Sequence, residues 1–321
     1  SLGQDEVRKA KQSVGNAVVV CLVSSIVLTA VYLLFADTIL AMFGGTVNAE
    51  TYRHSQEYFF YITLGVPFYM FGQAMNPIIR ADGSPRFAMI STLAGAVLNI
   101  ILDPIFIFGL RWGMMGAAVA TVIGQVLTMV IGGVLHFVCN KEIPSGMRYF
   151  IPQSKMIANI YRIGIPAIII QALMSVMTYG LNVILNRIGQ SAVTAYGIYY
   201  KIQQFVFFAS FGMNNTIIPV VSYNYGKGDK TRVRSGIKYG MLYTLGLMLL
   251  GIIGLQLFAS QICHVFSLSA DTEIFATYAI RIITLGYLFA GANIAYQGIF
   301  QALDHGIASL VLSLIRLLVI P

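Results

Sequence analysis

Charged residues are scarce in this sequence, at 10% of 321 residues, whereas soluble domains carry roughly 25%. Hydrophobic residues supply 57%, and the mean hydropathy is +0.78. So few charged groups cannot cover the surface of a folded chain, so that surface must face lipid. This shortage excludes an ordinary soluble protein. The long apolar runs predict an all-α, polytopic bundle of transmembrane helices.

Cysteine and histidine are also scarce, with three and four residues. Cys21, Cys139 and Cys263 lie in or beside apolar runs without metal-ligand spacing, so we interpret them as small core residues. The sequence has no HExxH, GxSxG or Walker A pattern, which argues against common hydrolase chemistry and ATP-driven transport within this chain. We therefore expect a protein that is not an enzyme and has no resident cofactor.

Apolar runs divide the chain into nine predicted transmembrane segments. They are residues 14–43, 58–79, 87–109, 114–139, 157–185, 192–221, 239–266, 274–303 and 307–321. The last run would be roughly 22 Å long as a helix, which is short of the ~30 Å hydrocarbon core. The chain also begins in a polar stretch without an initiator methionine. We therefore expect a fragment that is truncated at both ends.

Successive spans place the links between them alternately on the two sides of the membrane, and the basic residues are distributed unevenly between these sides. Fourteen of the 20 Lys and Arg residues lie on one side, mainly in the polar links 1–13, 140–155 and 222–238. The positive-inside rule places that side in the cytoplasm. The net charge of +8 thus indicates a multi-pass cell membrane protein with a cytoplasmic Ser1 end. It does not indicate nucleic-acid binding, because the basic residues form no single patch.

An internal repeat relates the two halves of the chain. Ile62–Gly65 and Ile283–Gly286 both read ITLG, at an offset of 221 residues. Phe35-Ala36 recurs as Phe258-Ala259, at an offset of 223 residues. An offset of this size spans an even number of predicted helices, so both halves keep the same orientation. The sequence therefore predicts two parallel-repeat lobes, an arrangement that is found in transporters.

A carboxylate lies inside the third predicted span. Asp103 follows Asn99 by four residues, so the two share a helix face, and Thr121 on the next span lies at a similar depth, roughly 9 and 12 Å from the same membrane side. Carboxylate, amide and hydroxyl oxygens suit a hard cation such as Na⁺, whereas a desolvated aspartate can instead hold a proton. The alternative is a structural aspartate that bonds backbone groups freed by Pro104. Charge at membrane depth favours a functional site.

The predicted spans 157–185 and 274–303 of the second half contain no carboxylate. Polar and aromatic side chains occur there and in the span between them, and we interpret six as lining a substrate cavity: Gln171, Tyr196, Lys201, Gln204, Asn293 and Gln297. Lys201 lies roughly 14 Å into its span, where contact with lipid would be costly. Snorkelling of its ammonium group toward the membrane surface is the alternative interpretation.

Several short motifs resemble those of the multidrug and toxic compound extrusion (MATE) family, in its bacterial multidrug-pump-like branch. They include Asn76-Pro77, Asn99-x-x-x-Asp103-Pro104, Gly164-x-Pro166 and the segment Tyr223–Asp229. The resemblance covers essentially the whole chain. It implies two lobes, with residues 1–145 as the remainder of the N-lobe (family helices 3–6) and residues 146–321 as the C-lobe (family helices 7–11, the last incomplete).

The resemblance also implies a function in drug resistance: a secondary active antiporter that exports organic cations or amphipathic drugs in exchange for Na⁺ or H⁺. It implies a monomeric transporter in a lipid bilayer, with small-molecule drugs as its partners. The family places a cation site at Asn99, Asp103 and Thr121, together with an aspartate on an earlier helix. A flippase of related fold for lipid-linked precursors or polysaccharides is the alternative. It would need several cavity cations, for which Lys201 and Arg281 are the candidates.

Overall fold

The structure is a computed structural model that describes residues 3, 6–42, 49–139, 147–266 and 270–316. All regular secondary structure in these ranges is helical, which confirms the predicted all-α class. Residues 5–160 and 161–321 form the main parts of two compact units. The predicted lobe boundary between residues 145 and 146 stays a prediction.

Six α-helices lie within the first unit. They are α1 Val7–Leu34, α2 Ala36–Met42, α3 Ala49–Leu64, α4 Val66–Ala81, α5 Pro85–Pro104 and α6 Gly113–Val134. Two π-helical turns, Ile105–Gly109 and Leu135–Cys139, continue α5 and α6. The tight connection from α5 to α6 contains two residues with positive φ, Arg111 at 58° and Gly113 at 55°. This turn makes α5 and α6 an antiparallel pair.

The other helices are α7 Ser154–Ile188, α8 Gln190–Gly226, α9 Lys230–Val265, α10 Ala270–Thr284, α11 Tyr287–Ala302 and α12 Gly306–Leu314. Within the described ranges, six helices are long and apolar enough to cross a membrane. The pair α10 and α11, bent by 53°, would make a seventh span. These helices support the predicted multi-pass membrane protein.

Two predicted polar links are shorter than expected. Only Lys227–Asp229 separates α8 from α9, although residues 222–238 are predicted as a link. Helix α3 begins at Ala49, inside the stretch between the predicted spans 14–43 and 58–79. Polar residues extend these helices beyond the apolar runs, because backbone hydrogen bonding continues where the hydrophobic pattern stops. Predicted link residues 46–48, 140–146 and 267–269, and the end of the last apolar run at 317–321, lie outside the described residues.

The repeated ITLG sequence forms the same local break in both units. In Ile62–Gly65 the glycine N–H donates to the isoleucine carbonyl at 3.0 Å, and the same bond at 3.0 Å closes Ile283–Gly286. The glycine φ and ψ are −75° and −18° in the first copy, and −76° and −7° in the second. The threonine of each copy is buried, at 1% and 0% exposure. These matched geometries support the predicted internal repeat.

Asn16 on α1 binds the segment that precedes α7. Its side chain is fully buried. Asn16 Nδ2 donates to the Gln12 carbonyl at 2.9 Å and to the Ile151 carbonyl at 3.4 Å, and its Oδ1 accepts from the Gln153 N–H at 2.7 Å. Both ends of a buried amide are therefore bonded, and such satisfied networks fix one arrangement of the chain.

Asn16→Leu is expected to lower the free energy of unfolding by about 3 kcal/mol, because each buried backbone group that loses its partner costs roughly 1–3 kcal/mol. Leucine has the same number and branching of side-chain heavy atoms as asparagine, so a new cavity is not the cause. The midpoint of thermal unfolding in detergent measures the effect. Asn215→Leu at an exposed position of α8 is the control. Equal midpoints for the two variants would contradict a structural role for Asn16.

Candidate functional site

The predicted cation-site residues lie on α5 and α6, which pack closely because glycines line their contact. A Cβ atom on Gly95 would overlap Thr128 Oγ1 and lie 2.5 Å from the Gly124 carbonyl oxygen. A Cβ atom on Gly124 would lie 2.7 Å from the Gly95 carbonyl oxygen and 3.2 Å from Asn99 Cβ. Backbone therefore meets backbone at this level, as small residues allow in membrane helices. Asn99 follows Gly95 by one turn of α5.

Asn99 connects the three predicted cation-site residues. Its Nδ2 donates to Asp103 Oδ1 at 3.2 Å, one turn along α5, and to Thr121 Oγ1 at 3.4 Å on α6. Thr121 Oγ1 itself donates to the Ala117 carbonyl at 2.9 Å. All three side chains are partly buried. The structure therefore brings these residues together across two helices, while their role in ion binding stays a prediction.

The Asn99 amide points its donor end at the other two residues. A cation held by Asp103, Thr121 and Asn99 would require this amide to rotate and present Oδ1, since a cation binds oxygen ligands. A proton on the second carboxylate oxygen of Asp103 would leave the observed hydrogen bonds in place. Binding of Na⁺ and binding of H⁺ would therefore require different orientations of the Asn99 side-chain amide.

Asp103 would be the one charged ligand among these three residues. Among the described residues, no three His, Cys, Asp or Glu side chains come together as a metal site. Cys21 and Cys263 are free thiols, and Cys263 is fully buried. One carboxylate with two neutral oxygens fits a monovalent cation better than a divalent one, because divalent sites usually combine several carboxylates.

Another carboxylate of the first unit, Asp37, forms hydrogen bonds between two helices instead. Asp37 on α2 lies beyond the end of α1, and its Oδ1 accepts hydrogen bonds from Tyr52 Oη at 2.7 Å and Gln56 Nε2 at 2.9 Å. These bonds, the one from Tyr52 first, hold the pKa of Asp37 below its ordinary value. Asp37 therefore connects α2 to α3 as an ionised acceptor.

The six predicted cavity residues lie on three helices of the second unit. Gln171 on α7 and Lys201 and Gln204 on α8 are exposed, Tyr196 and Asn293 are partly buried, and Gln297 is 9% exposed. Asn293 and Gln297 are one turn apart on α11, and the Tyr196 ring lies 6.1 Å from that of Tyr199. Within the described part of the chain, no hydrogen bond joins any two of the six side chains.

Of three polar residues with buried side-chain atoms on α8 and α11, which we call the polar seam, only Asn293 was among the predicted cavity residues. The seam consists of Ser210 and Asn214 on α8 and Asn293 on α11. Ser210 Oγ and the Oδ1 atoms of both asparagines are buried and have no hydrogen-bond partner among the described residues. Buried polar atoms without partners are costly and usually bind water or a ligand.

Two contacts show how the helices on either side of this seam are aligned. The rings of Phe207 on α8 and Tyr287 on α11 lie 5.0 Å apart. Further along both helices, a Cβ atom on Gly298 would overlap the side-chain amide of Asn214. The two helices therefore run in the same direction, and along α8 Ser210 lies between these two contacts. The sequence signal was the four-residue spacing of Ser210 and Asn214, which places them on one helix face.

Curated relatives of this chain are named multidrug export proteins. The chain is 28% identical to the multidrug export protein MepA of Staphylococcus aureus over 88% of its own length and 62% of the relative. It is 26% identical to MepA of Staphylococcus haemolyticus over 91% of its own length and 64% of that protein. The chain thus spans about three fifths of the curated relatives that it matches.

Solved transporter structures share the fold. An outward-facing multidrug resistance MATE family transporter of the MOP superfamily superposes with a TM-score of 0.92 at 25% identity, covering 99% of this chain and 71% of that one. A MOP superfamily transporter from Pyrococcus furiosus gives the same TM-score and coverage at 24% identity. These matches confirm the two-lobe helix bundle that the sequence resemblance implied.

The family comparison matches both halves of the sequence. The model of the MatE family covers residues 1–105 and 166–321, which include α1–α5 and α8–α12 with most of α7. Together with the fold and the named relatives, this match over most of the chain identifies it: the chain belongs to the MatE family.

Proposed function

We propose that this chain forms most of a secondary active multidrug antiporter that exports organic cations or amphipathic drugs in exchange for Na⁺ or H⁺. The observation that carries the proposal is the hydrogen-bonded group of Asn99, Asp103 and Thr121, which places a carboxylate inside a membrane helix. The names of the curated relatives support drug export. The transporter acts as a monomer in the cell membrane.

Ion occupancy at Asp103 would change the contact between α5 and α6. In the structure Asn99 Nδ2 donates to both Asp103 and Thr121. A cation on Asp103 competes with the first bond, and rotation of the amide gives up the second. Because Gly95 and Gly124 bring the two backbones together one turn away, a shift of either helix is transmitted to its partner. The bound ion therefore selects between two arrangements of this helix pair.

The buried seam of the second unit supports a substrate site without a charged ligand. Asn214 and Asn293 each offer a buried amide oxygen without a partner among the described residues, and we propose that each accepts a hydrogen bond from an N–H group of an organic cation. Neutral acceptors suit a transporter of varied drugs, because drug release then breaks no buried ion pair. The predicted cavity residues Gln297 and Tyr196 lie on the same two helices, and we assign them to this substrate site.

Ethidium efflux tests the proposed function. Cells that express the intact protein are loaded with ethidium, and efflux is followed in Na⁺ buffer, in choline buffer, and after collapse of the proton gradient. We expect efflux that stops when one of the two gradients is removed. Efflux that persists without either ion gradient but stops when ATP is depleted would contradict secondary antiport.

Impermeant maleimide labelling tests the proposed orientation. The charge asymmetry places the turn between α8 and α9 in the cytoplasm, so Lys227→Cys in a cysteine-free background should resist external labelling in intact cells. Arg187→Cys near the end of α7 should be labelled, because it lies on the opposite side. Both positions are exposed. External labelling of Lys227→Cys but not of Arg187→Cys would show that the orientation is the reverse of the one proposed.

A further inference from the structure

A groove with a basic wall and an apolar floor lies where α8 ends and α9 begins. Its volume is about 420 Å³. Lys230 and Arg234 lie one turn apart on α9 and form its basic wall, and Val233, Ile237 and Leu303 supply the apolar lining. The same three apolar side chains pack on a buried cluster that contains Ile217, Val221, Ile299 and Ala302. The floor is thus continuous with the core of the second unit.

The two basic side chains of the groove have no acidic partner among the residues that the structure describes. Neither Lys230 nor Arg234 forms an ion pair within the described ranges, whereas Asp229 accepts from the Arg232 N–H at 3.0 Å and lies 3.7 Å from Arg232 Nε. Asp304 directly follows the lining residue Leu303, but it faces a different cavity beside Arg162 and His305. Within the described part of the chain, the groove therefore offers two cations without an acidic partner to an anion.

Exposed tyrosines place the groove at the level of lipid headgroups. Tyr223, Tyr225 and Tyr239 are 38%, 55% and 51% exposed, and such rings concentrate at the interface between membrane and water. Lys227 Nζ lies 5.3 Å from the centre of the Tyr223 ring. Helix α9, which is long and apolar enough to cross a membrane, begins at Lys230. A molecule in the groove would therefore have its polar end among cations and its other end against hydrocarbon.

We propose that this groove binds an anionic phospholipid of the surrounding leaflet. The phosphate lies between Lys230 and Arg234, and one acyl chain follows Val233, Ile237 and Leu303 into the membrane. A free phosphate would use the basic wall and leave the apolar floor without a partner. Juxtamembrane basic residues attract anionic lipids in this way, each strengthening binding by roughly fivefold.

Native mass spectrometry of the purified intact protein tests this assignment. Dioleoyl phosphatidylglycerol and dioleoyl phosphatidylcholine are titrated separately, because they differ in charge but share acyl chains. We expect the anionic lipid to bind roughly 25-fold more tightly, because its headgroup presents a net negative charge to the two cations. Lys230→Gln with Arg234→Gln should remove this preference. Lys230→Arg with Arg234→Lys should keep it.

Two further measurements distinguish lipid binding in the groove from general charge effects and from binding of soluble anions. Arg8→Gln with Lys155→Gln removes the same charge from exposed positions elsewhere and should leave the lipid preference unchanged. Glycerophosphoglycerol, which has the headgroup without acyl chains, and inorganic phosphate should both bind at least tenfold more weakly than the lipid. An equal loss of the lipid preference in the Lys230→Gln/Arg234→Gln and Arg8→Gln/Lys155→Gln variants would overturn the site. Equal binding of phosphate and lipid would overturn the lipid as its occupant.

Discussion

Asp103→Asn is expected to abolish ion-driven efflux while the protein still inserts and folds. Asparagine keeps the shape of the side chain and can still bond Asn99, but it carries no charge and takes up no proton at physiological pH. Ion binding at this site therefore disappears without loss of the contact between α5 and α6. Ethidium efflux and the amount of membrane-inserted protein, measured on the same cells, separate transport from folding.

Thr121→Val and Asp103→Leu complete this test. Thr121→Val removes one neutral ligand and should reduce efflux severalfold without abolishing it. If Asp103 is structural, Asp103→Asn should be tolerated, and only Asp103→Leu, which removes the hydrogen bond with Asn99, should reduce inserted protein. Normal ion-coupled efflux by Asp103→Asn would end the assignment of this site.

Gly95→Ala should both destabilise the protein and impair efflux. The added Cβ overlaps Thr128 Oγ1 and lies 2.5 Å from the Gly124 carbonyl, so α5 and α6 must move apart. Such overpacking costs about 1–3 kcal/mol. The movement also lengthens the 3.4 Å bond between Asn99 and Thr121. Thermal unfolding in detergent and ethidium efflux report the two effects separately.

Gly133→Ala on α6 is the matched control, since a Cβ there meets Phe71 at 3.9 Å, which is ordinary contact. It should change neither the unfolding midpoint nor efflux measurably. Thr128→Ala in the Gly95→Ala background should restore part of the stability, because it removes the overlapping hydroxyl. Equal behaviour of the two glycine variants would contradict the close contact of α5 and α6.

The candidate cation site could be predicted from sequence because its determinants are local. Asn99 and Asp103 are one helical turn apart, and a short turn joins α5 to α6, so counting residues from that turn gives the depth of Thr121. Such features need no knowledge of how distant segments pack. The ITLG repeat could be recognised in the sequence, but the helix break that it forms was not predicted, because the predicted spans 58–79 and 274–303 continue through it.

Contacts between distant segments could not be predicted in this way. Asn16 binds residues more than 130 positions away, and Gln256 Nε2 donates to the Arg281 carbonyl at 2.6 Å just before the bend between α10 and α11. Each polar residue sits in an apolar run, where the sequence alone does not show its partner. The Ser210 and Asn214 seam depends likewise on α8 meeting α11.

The lengths of the polar links were overestimated for a different reason. Hydrophobic runs mark where a helix leaves the membrane, but a helix ends where its hydrogen bonds end. At the start of α9, Asp229 Oδ1 accepts the Arg232 N–H at 3.0 Å, which caps the helix and begins it within the basic stretch. That capping aspartate was the available sequence signal.

Drug-induced ion release measures the central claim most directly. Purified intact protein is loaded with ²²Na⁺ in one experiment and placed in weakly buffered solution with a pH indicator in another, and ethidium is then added. If Asp103 binds the coupling ion, the wild type should release Na⁺ or H⁺ in proportion to ethidium bound, and Asp103→Asn should release neither. Equal release of the same ion by the wild type and Asp103→Asn would contradict Asp103 as the coupling site.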